Sequence, residues 1–181
     1  LENKYIMPGV IDVHTHMRDP GFTYKEDLQS GSKACAKAGI TTNIDMPNTN
    51  PATITEEALE IKRKSAGEKS AVNYGFHFGG SSDNNSQEIG KAKGVLSTKV
   101  FLNVSTGKML VEDDKVLESI VKAANFLTVH AEGKMINKAL EFNKKFGKGL
   151  YICHVSSRKE MEIIENAKAD NIFNNENHPI F

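Results

Sequence analysis

The chain has 181 residues, of which 39% are hydrophobic, so residues 1–181 can bury one core as a single domain. Its 23 lysines and arginines balance 23 aspartates and glutamates, so the chain has no net charge that would attract nucleic acid or an anionic membrane surface. We therefore expect a small-molecule substrate. With two cysteines, no bilayer-spanning apolar run and no signal-peptide pattern, we expect a cytoplasmic protein with reduced thiols.

Apolar runs typical of β-strands alternate with helical patterns along the chain. Strands are predicted to begin near Val10, Ile40, Ala71, Thr98, Phe126 and Leu150. Helices are predicted near residues 25–38, 55–69, 86–93, 112–124, 132–147 and 157–168. Capping boxes at Thr53–Glu56 and Ser157–Glu160 mark two of the helix starts. A strand followed by a helix, repeated six times, indicates parallel βα units.

The first strand contains the motif Asp12-Val13-His14-Thr15-His16. Side chains of an extended strand alternate between two faces, so Asp12, His14 and His16, with Arg18 beyond them, are expected on one face. Imidazole is a good zinc ligand, and two histidines at this spacing reach one ion from a single strand. A His-x-His pair is also a short, common pattern that a packed strand tolerates. We interpret the motif as half of a metal site.

Two further histidines, His130 and His154, end apolar runs in the same way. Repeated βα units form either an open doubly wound sheet or a closed barrel, and the glycine-rich first turn usual in the open fold is not present here. In a barrel all strands point their carboxyl ends at one face, which would bring the four histidines together. We therefore predict an α/β fold of the (β/α)8 TIM-barrel type with parallel strands, comprising six of the eight βα units.

Several segments carry specific motifs: Met7–Gly21 with Lys25–Asp27, Gly39–Thr42 with Asp45–Pro51, Val129–Glu132, and Cys153–Ser157. Together they resemble the first, second, fifth and sixth strands of the dihydroorotases, in the amidohydrolase superfamily. The resemblance implies a binuclear zinc hydrolase. It also implies the reversible hydrolysis of dihydroorotate to N-carbamoyl-aspartate in pyrimidine biosynthesis, in which a hydroxide between the two ions attacks the ring amide.

The resemblance further implies the residues of the site. The metal ligands would be two histidine pairs and a lysine, carboxylated on its nitrogen, that bridges the two zinc ions: His14 with His16, His130 with His154, and Lys99. Arg18 and Asn48 match the positions that hold the substrate carboxylate. A guanidinium suits this role because it grips a carboxylate through two parallel hydrogen bonds.

The match covers about residues 5–170. Members of the family continue through two more strands, and the eighth carries an aspartate that binds metal and shuttles the proton. No catalytic residue is therefore assigned in this chain, and we expect it to be a truncated version of a longer enzyme. A sheet of six units would have exposed edges, which favours pairing with another copy, so a homo-oligomer is one expectation.

Two alternative functions stay open. A hydantoinase or allantoinase would share the metal ligands but would not be expected to show the pairing of Arg18–Gly21 with Met46–Thr49. A non-catalytic, dihydroorotase-like scaffold subunit would fit a chain that truly ends at Phe181, without the eighth-strand aspartate.

Three other polar residues receive structural interpretations. His77 is predicted to be a packed or loop histidine. Cys153 precedes His154, so we expect it on the opposite face of its strand as a buried thiol. Asn43 is unusual in a strand interior, where β-branched and aromatic residues fit better, and it makes the packing of the second strand hard to predict.

Overall fold

A computed structural model of the chain describes residues 5–105 and 109–169. The strands are β1 (Val10–Thr15), β2 (Ile40–Asp45), β3 (Asn73–Phe76), β4 (Phe78–Gly79), β5 (Thr98–Phe101), β6 (Phe126–His130) and β7 (Gly149–Ile152). The helices are α1 (Leu28–Lys37), α2 (Glu56–Lys69), α3 (Ser86–Lys91), α4 (Asp114–Ala123), α5 (Lys134–Phe146) and α6 (Arg158–Ala169). The predicted strands and helices are thus present, with ends that differ by up to three residues.

The third predicted strand is interrupted at His77, which divides it into β3 and β4. Strands β1, β2 and β3 form one parallel group, and β4 to β7 form a second one. Backbone hydrogen bonds continue across the break, because His77 N donates to Asp45 O at 3.0 Å and Phe78 N donates to Ser97 O at 2.9 Å. The six βα units therefore follow one another in a single array.

Neighbouring strands in this array are also neighbours in sequence, and all pair in parallel. An open doubly wound sheet reverses its strand order partway through, whereas a barrel does not. The order confirms the predicted barrel type, in an incomplete form. The core is formed by apolar residues of the strands and of the helix faces that cover them, including Leu59, Phe78, Val100, Ile120, Leu127, Val129, Ile136 and Leu150.

The outer side of β1 is open. This strand pairs with β2, and no second partner strand occurs among residues 5–105 and 109–169. Val10 and Ile11 are 50% and 60% exposed there, a large apolar exposure for a strand. This is the exposed edge expected of a sheet with six units.

One of the two predicted capping boxes is correct. Ser157 Oγ accepts from Glu160 N at 3.3 Å, and Glu160 Oε2 accepts from Ser157 N at 3.1 Å. The box at Thr53 is wrong, because Thr55 caps α2 and accepts from Ala58 N at 3.2 Å. Thr53 is instead buried in the preceding loop, where its N–H donates to Pro47 O.

No helix in the described part of the chain is both long enough and apolar enough to cross a membrane.

Candidate metal and substrate site

His14 and His16 lie together at the carboxyl end of β1, with ring centres 5.3 Å apart. The pairing of β1 with β2 shifts register between Asp12 and Thr15, and Asp12 Oδ1 accepts from His14 N at 3.0 Å. The strand is therefore irregular where the motif lies. The two rings nevertheless share one side, as alternation predicts.

His130 and His154 complete the cluster from the other side of the array. His130 ends β6, and His154 lies in the turn after β7 with a left-handed φ of 41°. The ring centres of His14 and His154 are 5.6 Å apart, and those of His130 and His154 are 4.6 Å apart. His130 Nδ1 and His154 Nε2 are 2.8 Å apart. The four histidines thus form one continuous group, as the barrel hypothesis requires.

Glu132 joins this group, and the sequence reasoning missed it. Ligand atoms of His130, Glu132 and His154 all lie within 4.8 Å of one another. His130 Nε2 is 3.7 Å from Glu132 Oε1, too far for a hydrogen bond, and it is buried without a partner among the described residues. An orphaned buried imidazole nitrogen beside a carboxylate fits a cation between them. The signal was the spacing in His130-Ala131-Glu132, which repeats the His-x-His pattern with an acid.

Lys99 lies on β5 and is 1% exposed, so it is not the solvated charge that a lysine at a strand end usually is. Its Nζ lies 2.8 Å from Cys153 Sγ and 5.0 Å from the centre of the Phe101 ring. Cys153 is fully buried, as predicted, but its expected orientation is wrong. Strand β7 ends at Ile152, so strand alternation does not extend to Cys153, and its thiol points at Lys99.

Burial lowers the pKa of three histidines of the cluster. The pKa of His14 falls to about 3, first because of burial and then because of the nearby Lys99 charge. Burial followed by the Arg18 charge lowers the pKa of His16, and burial followed by His154 lowers that of His130. Near neutral pH these rings are uncharged, and a neutral imidazole is the form that ligates a metal.

Burial also lowers the pKa of Lys99. The neutral amine has a lone pair that can react with carbon dioxide, whereas an ammonium has none. Burial therefore shifts Lys99 toward the neutral amine from which a carboxylated lysine is made.

The two expected substrate-binding residues lie beside the histidines. His16 Nδ1 is 3.0 Å from Asn48 Oδ1, so the loops after β1 and β2 meet at this contact. Arg18 has a left-handed φ of 58°, so its position is determined by a turn and not by strand alternation. Its Nη1 is buried without a hydrogen-bond partner among the described residues. An unpaired buried guanidinium nitrogen costs free energy, and an anionic ligand would satisfy it.

Glu160 joins the loops that follow β6 and β7. Its Oε1 accepts from Gly133 N at 2.9 Å, and its Oε2 accepts from Ser156 N at 3.2 Å and from Ser157 N. These hydrogen bonds lower the pKa of the Glu160 carboxyl, those from Gly133 and Ser156 most. One carboxylate thus ties together the two loops that continue from His130 and His154.

Among curated proteins, the chain is 34% identical to the dihydroorotase of Methanosphaera stadtmanae, over 93% of this chain and 46% of that protein. It is 32% identical to the multifunctional protein pyr1-3 of Dictyostelium discoideum, over 92% of this chain and 8% of that protein. The chain covers 46% of the dihydroorotase of Methanosphaera stadtmanae and 41% of that of Pyrococcus horikoshii, so it spans less than half the length of these relatives.

Among solved structures, it matches the L-hydantoinase (dihydropyrimidinase) from Arthrobacter aurescens with a TM-score of 0.84 and 28% identity, over 92% of this chain and 46% of that chain. It also matches the inactive dihydroorotase-like domain of a Chaetomium thermophilum CAD-like multifunctional protein with a TM-score of 0.78, over 92% of this chain and 50% of that chain; at 16% identity this shows the fold alone. The sequence model of the Amidohydrolase family matches residues 5–176. The chain, whose histidines cluster at the ends of parallel strands, therefore belongs to the Amidohydrolase family.

Proposed function

We propose that the protein is a dihydroorotase, which hydrolyses the ring amide of dihydroorotate to N-carbamoyl-aspartate and catalyses the reverse closure. The observation that carries this proposal is the Nη1 of Arg18, which is buried without a hydrogen-bond partner among the described residues. Arg18 lies two residues after His16, its charge acts on that histidine, and its position matches the residue pattern of the dihydroorotases. A ring that carries a carboxylate would satisfy this nitrogen. The 34% identity to the dihydroorotase of Methanosphaera stadtmanae supports the same reading.

We propose that these residues would hold two zinc ions. His14 and His16 would hold one ion, His130 and His154 the other, and Lys99 would bridge them as an N-carboxylated side chain. Histidine and carboxylate donors suit zinc, and the low pKa of His14 keeps a lone pair available on that ring. When bound, such a pair of ions supplies Lewis-acid chemistry, which activates water and polarises an amide carbonyl.

The chain's own polar residues then determine which substrate is accepted. Arg18 would grip the ring carboxylate through two parallel hydrogen bonds, and the Asn48 side chain would contact the same group. Because Asn48 Oδ1 lies against His16 Nδ1, the substrate-binding loop and the first histidine pair are held in one arrangement. Binding and chemistry would thus share a small region at the carboxyl ends of the first two strands.

A hydantoinase is the second candidate, supported by the structural match to the L-hydantoinase from Arthrobacter aurescens. Hydantoin rings carry no carboxylate equivalent to that of dihydroorotate, so Arg18 and Asn48 would have no anion to hold. The buried, unpartnered Nη1 of Arg18 therefore favours dihydroorotate.

The proposal is tested by assaying the zinc-loaded full-length protein with dihydroorotate and with hydantoin, beside an Arg18→Met variant. We expect turnover of dihydroorotate, a strong preference over hydantoin, and loss of that preference in the variant. Turnover of hydantoin alone would replace the proposal by the second candidate. Binding of zinc without turnover of either substrate would favour a non-catalytic scaffold.

A further inference from the structure

Lys62 is a lysine buried in the face of α2 that packs on the sheet. It is 0% exposed and lies between Leu59 and Ala66, which are buried on the same face. Its Nζ is 2.7 Å from Asp45 Oδ2, donates to Met46 O at 2.8 Å, and lies 5.4 Å from the centre of the Phe76 ring. The ammonium thus donates a hydrogen bond to the Met46 carbonyl and lies in ion-pair contact with Asp45, whose Oδ2 has no aligned hydrogen-bond donor among the described residues.

Asp45 extends this contact to the loop after β1. While Oδ2 pairs with Lys62, Oδ1 accepts from Met17 N at 2.7 Å. Met17 lies directly before Arg18, and Met46, whose carbonyl Lys62 holds, lies two residues before Asn48. The buried ion pair therefore fixes the backbone next to both proposed substrate-binding residues.

Buried ion pairs generally add little net folding stability. Taking two charges out of water costs about as much as their attraction returns, and well-packed apolar side chains of similar size are often at least as stable. A methionine at position 62 would continue the apolar face formed by Leu59 and Ala66. What an apolar residue could not do is hold the Met46 carbonyl and orient the carboxylate that accepts the Met17 N–H.

We propose that Lys62 is a positioning residue for substrate recognition, which acts through Asp45 to hold the loops of Arg18 and Asn48 in register. This inference rests on the proposed function of those two residues. Without Lys62, the buried carboxylate would lose its counter-charge and shift toward water or another donor, and the Met17 N–H would lose its fixed acceptor. A displacement of about 1 Å at a substrate-positioning group can cost on the order of 100-fold in rate.

The test compares Lys62→Met with Lys64→Met in the full-length protein, since Lys64 is an exposed lysine of the same helix. We expect Lys62→Met to speed hydrogen–deuterium exchange of the Met17 amide about tenfold or more and to raise KM for dihydroorotate about ten- to a hundredfold, with zinc content unchanged. Lys64→Met should match the unmodified protein in all three. Equal exchange and equal KM in the two variants would overturn the inference.

A double variant, Lys62→Met with Asp45→Asn, separates positioning from stability. It removes the unpaired charge, so we expect it to recover the thermal stability lost in Lys62→Met while KM stays raised. Recovery of stability and KM together would show a merely structural role and would overturn the inference. If the unmodified protein does not turn over dihydroorotate, the proposed function fails, and exchange of the Met17 amide alone then decides whether Lys62 holds this loop.

Discussion

His77 is expected to make the stability of the metal-free protein fall between neutral and mildly acidic pH. The ring is 1% exposed; Nε2 lies 2.8 Å from Val13 O and Nδ1 lies 2.7 Å from Ser97 Oγ. Burial lowers its pKa to about 4, against 6.5 for a free histidine. Below pH 6.5 the unfolded chain therefore binds a proton that the folded protein does not, and stability decreases as the pH falls toward about 4.

The magnitude at pH 5 follows from these values. Over the roughly 1.5 pH units from pH 6.5 to pH 5, the unfolded chain binds about one proton more than the folded protein at His77, which lowers the free energy of unfolding by roughly 2 kcal/mol. His77→Gln offers a matched comparison, because a glutamine can donate to Val13 O and accept from Ser97 but does not titrate.

Urea unfolding of both proteins with a chelator, at pH 7 and at pH 5, measures this effect. We expect His77→Gln to be less stable than the unmodified protein at pH 7, and the difference to shrink by roughly 2 kcal/mol at pH 5. Other histidines contribute equally to both proteins and cancel. A difference that is the same at the two pH values would mean that His77 is not held neutral by burial.

Three further outcomes are expected. Replacing His130 or His154 by alanine should remove about one of two zinc ions per chain, and an unchanged metal-to-protein ratio by mass spectrometry would refute the pairing of ligands. Arg18→Lys should lower catalytic efficiency on dihydroorotate by about one to two powers of ten at unchanged zinc content, because lysine cannot form the two parallel hydrogen bonds of a guanidinium. Full efficiency in this variant would contradict the role of Arg18 in binding the substrate carboxylate. Glu160→Gln should speed amide exchange at Gly133 about tenfold, because it weakens the hydrogen bond that the Gly133 N–H donates to Glu160. Glu162→Gln, at an exposed position, should not, and equal effects in the two variants would mean that Glu160 does not hold the loop after β6.

The strands and helices could be predicted because each has a local signal. Apolar runs bounded by polar or glycine-rich residues gave β1, β2, β5, β6 and β7 within one residue at the start. The break at His77 has no comparable local signal, and the groups that the His77 ring contacts, Val13 O and Ser97 Oγ, belong to other parts of the chain. Thr53 and Thr55 both fit a helix cap locally, and only the packing of the loop onto Pro47 decides between them.

The histidine cluster was also predictable, because parallel strands in a barrel bring their carboxyl ends to one face. The predicted orientation of Cys153 was wrong because strand alternation was extended one residue beyond Ile152, where β7 ends. The contact of Asp45 with Lys62 joins a strand to a helix 17 residues later, and a single lysine within an amphipathic helix gives no indication of its partner. Such long-range polar contacts need the folded structure.

We propose that the histidine cluster and Lys99 form a two-zinc centre, and the number of zinc ions bound per chain is a direct test of it. Mass-spectrometric metal analysis of the purified full-length protein, after equilibrium dialysis against zinc, should give about two ions per chain. A His14→Ala, His16→Ala double variant should give about one. One ion or fewer in the unmodified protein, or an unchanged number in a variant that lacks all four histidines, would contradict a two-zinc centre.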